Sequence, residues 1–338
     1  MVMNYDNAFL LGLYRTMVRI RSCEESIVDP ILSGAIRGPC HLYSGQEAVA
    51  TGVCATLNET DFIFGNHRSH GHFLAKGGSM KEMMAEIFAR ETGCSRGRGG
   101  SMHLIDTAKG MMGSVPILAG TISLAVGAAL ATSIQGGNRV VVSFFGDGAT
   151  GEGVLYESLN FAALNKLPIV FVCENNFYAT HMPICDCRVE SHIYSIAKPF
   201  CVETGQVDGN DVLAVYEAAA RAVDDCRRGN GPVFLECLTY RQRGHVGPDD
   251  NIQGFHTDIR PQEEVTEWLA RDPIKMFEDY LSGAECIDTS VLVDIRKEVQ
   301  SEVEAAHRFA MESPYPEAKD VERFVFAQKI FVAETQSI

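Results

Sequence analysis

Residues 139–176 read RVVVSFFGDGATGEGVLYESLNFAALNKLPIVFVCENN, and this stretch decides the fold. Arg139–Phe145 is a nearly unbroken apolar run, which predicts a strand buried on both faces. Glu152–Asn165 carries apolar residues at helical spacing, and Pro168–Cys173 is a second fully apolar strand. The same rhythm continues outward on both sides. Thr121–Ile134 predicts a small-residue helix before the stretch, and Val212–Arg228 followed by Pro232–Tyr240 predicts another helix and strand after it. Helices alternating with continuous apolar strands specify an α/β fold, a parallel sheet flanked by helices.

Farther out, Tyr5–Ser33 has helical spacing, and a helix is expected from Ser44 to Leu57, with Ser44 and Glu47 as a capping box. Asp61–Gly65 predicts a short strand, and the Gly- and His-rich stretch to Gly78 a loop. Met80–Arg90 predicts a helix, Asp249–Pro261 a long polar loop, and Thr289–Glu312 an amphipathic terminal helix. The expectation is one domain over residues 1–338, with a core of about 40–245, an N-terminal helix 5–33 and a C-terminal helical extension 262–338.

The chain has 338 residues, 46% of them apolar, and 29 basic against 44 acidic side chains give a net charge of −15. This supports a sizeable core and argues against nucleic acid or an anionic membrane as partners. No apolar run approaches the ~20 residues of a membrane span, and Met1–Leu13 has no basic leader, so a cytoplasmic protein is expected. Eleven scattered cysteines, with only Cys185 and Cys187 close together, suit buried thiols in a reducing compartment better than a zinc site.

Gly146-Asp147-Gly148-Ala149-Thr150-Gly151 matches a dinucleotide-binding fingerprint, with Glu174 ending the next strand. Asp147 argues against that reading, because it sets a carboxylate where a pyrophosphate must approach. A metal resolves the repulsion. Asp147 ends one strand, and Asn176 follows the next strand of the same βαβ unit, so both lie at the carboxyl edge of the sheet and can grip one Mg²⁺. Gly146-Asp147-Gly148, twenty-six residues, then Asn175-Asn176 looks like a thiamine-diphosphate motif.

From Leu11 to about Pro273 the chain resembles the alpha subunit of the two-subunit 2-oxo acid dehydrogenase first component, of the pyruvate, acetoin and branched-chain type. Besides the diphosphate motif, Gly38–Ala48, His67–Gly71, Gly97–His103 and Tyr240–His245 carry the likeness. The resemblance implies thiamine diphosphate and Mg²⁺ as cofactors. Asp147 and Asn176 would ligate the metal by side chains and Tyr178 by its carbonyl. Gly146, Gly148 and Ala149 would approach the diphosphate, Arg68 would pair with it, and Leu118 would support the bent cofactor. His245 would lie beside the diphosphate or the acyl-transfer path. His41 matches a histidine near the reacting carbon, though a structural histidine at a helix start fits it as well.

In this family the glutamate that polarises the cofactor belongs to a beta subunit. No second α/β domain is present here, so the resemblance implies half an active site in an α₂β₂ tetramer, acting on a 2-oxo acid or acetoin and passing the acyl group to a lipoyl acyltransferase core. Two other readings stay open. One is a transketolase-like or carboligating subunit without a lipoyl acceptor, and the other a non-catalytic interaction subunit. His67, His70 and His72 invite a zinc reading, which Arg68 disfavours by placing a cation among the ligands. The chain departs from the family where His67 replaces a tyrosine, where Val246 replaces the serine of regulated mitochondrial members, and in the lengthened loop Gly247–Ile259, with Ile259 in place of another tyrosine.

Overall fold

The computed structural model describes residues 5–190, 192–248, 251–252, 255–256, 258–284 and 287–320. In chain order the helices are α1 (Asn7–Ser26), α2 (Val28–Leu32), α3 (Glu47–Cys54), α4 (His70–Ala75), α5 (Met80–Ile87), α6 (Gly120–Gln135), α7 (Gly153–Leu164), α8 (Ile184–Cys187), α9 (Val212–Arg227), α10 (Gln262–Leu269), α11 (Pro273–Gly283) and α12 (Thr289–Glu312). The strands are β1 (Phe62–Gly65), β2 (Met111–Ser114), β3 (Val141–Gly146), β4 (Ile169–Asn175), β5 (Tyr178–Ala179), β6 (Met182–Pro183), β7 (Glu203–Asp208) and β8 (Val233–Leu238).

Six strands form one parallel sheet in the order β2-β1-β3-β4-β8-β7. The central strands are apolar at every position because both faces are covered. Alternation along β3 sends Val142 and Phe144 into one core and Val141 and Phe145 into the other. The first core is built with α1, α3, α4, α5, α9, α11 and α12. The second is built with α6, α7 and the turn Ile193–Phe200. Each fully buried phenylalanine, such as Phe144 or Phe171, contributes roughly 1.5–3 kcal/mol by leaving water.

Four details depart from the sequence reading. The helix expected from Ser44 begins at Glu47, without a capping box. Ser44 Oγ instead donates to Glu25 at 2.8 Å, and Glu47 is held by Arg21 and by the Gly45 N–H. The stretch read as loop before Gly78 contains α4, whose buried His70 and His72 are satisfied by Glu24 and Glu174. The edge strands β2 and β7 were not expected. β7 carries Glu203, Gln206 and Asp208, so only its pairing with β8 defines it. In the stretch read as a polar loop, Asn251–Ile252 pairs antiparallel with Phe255–His256, while residues 249–250, 253–254 and 257 lie outside the described residues.

Candidate active site

Gly146 pairs with Glu174 in register, so the chain leaves β3 and β4 side by side at the carboxyl edge of the sheet. After β3 a tight turn over Asp147–Gly151 leads into α7. Asp147 is 2% exposed, and its Oδ2 has no hydrogen-bond partner among the described residues. Burial pushes its carboxyl up to about 7 against the opposing pull of Arg241 and the Gly148 N–H. A side chain at Gly148 would meet Ala179 Cβ at 3.0 Å, so glycine lets these two backbones close together.

Beyond β4, Asn175 Nδ2 donates to Glu236 at 2.7 Å, and its Oδ1 accepts the Phe177 N–H at 3.0 Å. Phe177 adopts the left-handed conformation (φ 68°), which turns the chain back into the β5–β6 hairpin. Asn176 Nδ2 donates to Gln46 Oε1 at 3.0 Å, and its Oδ1 accepts the Tyr178 N–H at 3.3 Å. Tyr178 and Tyr240 both donate their hydroxyls to Glu264 of α10, at 3.0 and 2.7 Å. Tyr240 stacks on Trp268 with ring centroids 5.3 Å apart, which fixes α10 over the hairpin.

Two buried guanidiniums face these acids. Arg68 donates to the carbonyls of Leu42 at 2.7 Å and His245 at 3.1 Å. Arg241 donates to the Thr180 carbonyl at 2.9 Å. Desolvation, reinforced by Arg68, holds His41 down at about 3 and His245 at about 2, and keeps His67 well below its ordinary value. The three rings are therefore neutral at physiological pH.

Arg68, Leu118, Gly146, Asp147, Gly148, Ala149, Asn176, Tyr178 and His245 all line one cleft of about 230 Å³. Of the cofactor, metal and catalytic candidates that the resemblance implies, only His41 is absent from its wall; it sits behind, in ring contact with His67 and His245. The cleft also takes Gln46, Asn66, His67, Glu174 and Thr180, and the Arg241 charge acts on its Asp147. Glu174, which completed the dinucleotide fingerprint at the end of the next strand, is held inside by Tyr43, His72 at 2.9 Å and Asn66 at 3.4 Å. His67, His70 and His72 go to three different places. His67 faces the cleft, His70 lies between Glu24 and Ser101, and His72 holds Glu174. Cys185 and Cys187 lie exposed on α8, and no third ligand joins them among the described residues.

The dehydrogenase E1 component family model matches residues 15–319. The chain belongs to this family. It is 41% identical over 311 residues to the alpha subunit of acetoin:2,6-dichlorophenolindophenol oxidoreductase of Bacillus subtilis, covering 92% of this chain and 91% of that one. It is 39% identical over 325 residues to the pyruvate dehydrogenase E1 component subunit alpha of Porphyra purpurea, covering 94% and 93%. The somatic mitochondrial pyruvate dehydrogenase E1 alpha subunit of Homo sapiens is 34% identical over 318 residues, covering 94% and 79%. These matches confirm the family that the sequence motifs resembled. Among the described residues, no helix of this E1 chain is long and apolar enough to cross a membrane.

Proposed function

We propose that this chain is the alpha subunit of a thiamine-diphosphate- and Mg²⁺-dependent 2-oxo acid or acetoin dehydrogenase, active only with a beta subunit. The observation that carries the reading is Asp147, a buried acid with an oxygen unpartnered among the described residues, at the strand edge where Asn176 and a close backbone approach converge. Such an oxygen is costly in a fold without a ligand. A hard cation with oxygen ligands fits the donor set of Asp147 Oδ2, Asn176 Oδ1 and the Tyr178 carbonyl.

When bound, thiamine diphosphate supplies the thiazolium carbanion and the electron sink for cleavage beside a carbonyl. The chain's own residues position and neutralise. Arg68 and the backbone of Gly148 and Ala149 would receive the diphosphate near the start of α7. Leu118, partly exposed in the cleft wall, would support the bent cofactor. His245 and the ring behind it, His41, stay neutral and offer N–H donors or acceptors to the reacting end. The buried sheet edge excludes water from the charges it holds.

Two observations support a partner. The cleft volume of about 230 Å³ lies below the ~300–1,000 Å³ of complete small-molecule sites. The face of α6 and α7 presents Leu124, Ile134, Phe161 and Leu164 to solvent. A beta subunit in an α₂β₂ assembly accounts for both, and a lipoyl acyltransferase core would take the acyl product. The test is acylation of lipoamide by the chain reconstituted with a beta subunit, over a panel of 2-oxo acids and acetoin. Acylation that needs both subunits, Mg²⁺ and thiamine diphosphate is expected. Condensation of the donor onto an aldehyde with no lipoamide acylation would contradict it in favour of a carboligating enzyme, and cofactor-independent inertness in favour of an interaction subunit.

A further inference from the structure

The turn Asp147–Gly151 has little stiffness of its own. A side-chain carbon added at Gly151 or Gly153 would meet nothing within 4 Å, so packing does not confine the backbone there. Thr150, wholly buried, closes the turn by donating its hydroxyl to the Asp147 carbonyl at 2.6 Å. The Thr150 carbonyl accepts the hydroxyl of Tyr156, on α7, at 2.9 Å. Arg188 reaches the same residue from 38 positions farther along the chain. Its Nη1 donates to the Thr150 carbonyl and to Thr150 Oγ1, both at 3.0 Å. Among the described residues the guanidinium's hydrogen bonds all go to Thr150 and Tyr156, and none to a carboxylate.

Arg188 ends a segment that begins in the cleft wall. The chain leaves Tyr178 and Ala179 in β5, returns through β6, and enters α8, which packs against the turn. The segment is tied internally, because the Ile184 N–H donates to the Phe177 carbonyl at 2.8 Å and the Arg188 N–H to the Ile184 carbonyl at 3.0 Å. It meets the turn at both ends. At the first, a side chain on Gly148 would meet Ala179 Cβ at 3.0 Å; at the last, Arg188 grips Thr150.

We propose that Arg188 is a positioning residue for the diphosphate turn, acting through Thr150 to hold Asp147 and the N–H groups of Gly148 and Ala149 at the cleft. This rests on the proposed function and adds to it a residue outside the cleft wall. Hydrogen bonds from an ionised donor are roughly twice as strong as neutral ones. With Thr150 Oγ1 accepting from Arg188, its one proton stays directed at the Asp147 carbonyl. Partners that orient a metal's ligands commonly govern affinity by about 10–100-fold.

The test uses the assembled alpha and beta subunits, with thiamine diphosphate and Mg²⁺ titrated by calorimetry. Arg188→Met keeps the apolar stem and removes the donors, and is expected to weaken cofactor binding by at least about tenfold. Arg188→Lys, whose ammonium can donate to both Thr150 oxygens, recovers part of that loss. Combined with Thr150→Val, Arg188→Met costs less than the product of the two single losses, as two residues acting together require. Hydrogen exchange of the cofactor-free assembly reads the turn itself: amides of residues 147–151 exchange faster in Arg188→Met, while β3 and β4 stay as protected as before. Native-like affinity in Arg188→Met, no recovery by lysine, fully multiplicative losses, or unchanged exchange at the turn would overturn the proposal. Failure of the native assembly to bind the cofactor would instead remove the proposed function, and the exchange measurement would still decide whether Arg188 braces the turn.

Discussion

Buried with no partner for its Oδ2 among the described residues, Asp147 costs the fold stability. Its carboxyl is buried beside Arg241, yet burial outweighs the attraction and raises its pKa to about 7. A raised acid takes up its proton more readily in the folded state. The stability it contributes is fully present below the unfolded value of about 3.9 and is lost as pH rises through about 7. Without metal, Asp147→Asn is therefore expected to melt higher than the native chain above pH 7, by on the order of a few kcal/mol, with the two converging near pH 4. Thermal melts across that range check this, and Mg²⁺ with thiamine diphosphate should stabilise only the native chain. The convergence of Asp147 and Asn176 at one sheet edge was legible in the sequence, because each follows an apolar strand of the same βαβ unit. Gln46 and Arg241 were not, because their roles come from contacts across 130 residues to Asn176 and 61 residues to Thr180. No local pattern encodes such pairs.

Among elements, α10 acts on the site without lining it. Glu264 receives the hydroxyls of Tyr178 and Tyr240, and so holds the hairpin whose Tyr178 carbonyl is the third proposed metal ligand. Outer partners of ligands commonly govern metal affinity by about 10–100-fold. Glu264→Ala is expected to weaken Mg²⁺-dependent cofactor binding by that order while the sheet stays intact, measured by calorimetry beside far-ultraviolet circular dichroism. The strands β3, β4 and β8 were legible because each is apolar along its length. The helix α4 was hidden by its glycine and histidines, which only Glu24, Ser101 and Glu174 make compatible with burial. The glycine-rich segment after α5 owes its shape to Glu86, whose carboxylate accepts the N–H groups of Ser95, Gly97, Gly99 and Gly100. Nothing in its spacing announces that role.

At the scale of the whole molecule, the sheet is unevenly covered. One face carries two layers of helix, with α1 and α12 packed outside α3, α4 and α5. The other carries α6 and α7, whose outer surface keeps Ile134 77% and Leu164 79% exposed. Apolar patches of this kind mark association surfaces. The double variant Leu124→Asp/Leu164→Asp is expected to remain folded, since both side chains already face water, and to lose assembly with the beta subunit by at least tenfold in dissociation constant, read by sedimentation or size-exclusion chromatography. The uneven coverage was not visible in the sequence, because α6 and α7 are apolar on their buried and exposed sides alike. The proposed function requires this chain to hold a diphosphate through a metal at Asp147. Calorimetric titration of thiamine diphosphate into the assembled alpha and beta subunits tests it most directly. One cofactor per alpha chain is expected, with binding abolished by chelation of Mg²⁺ and by Asp147→Ala. Equal binding without metal, or in Asp147→Ala, would contradict it.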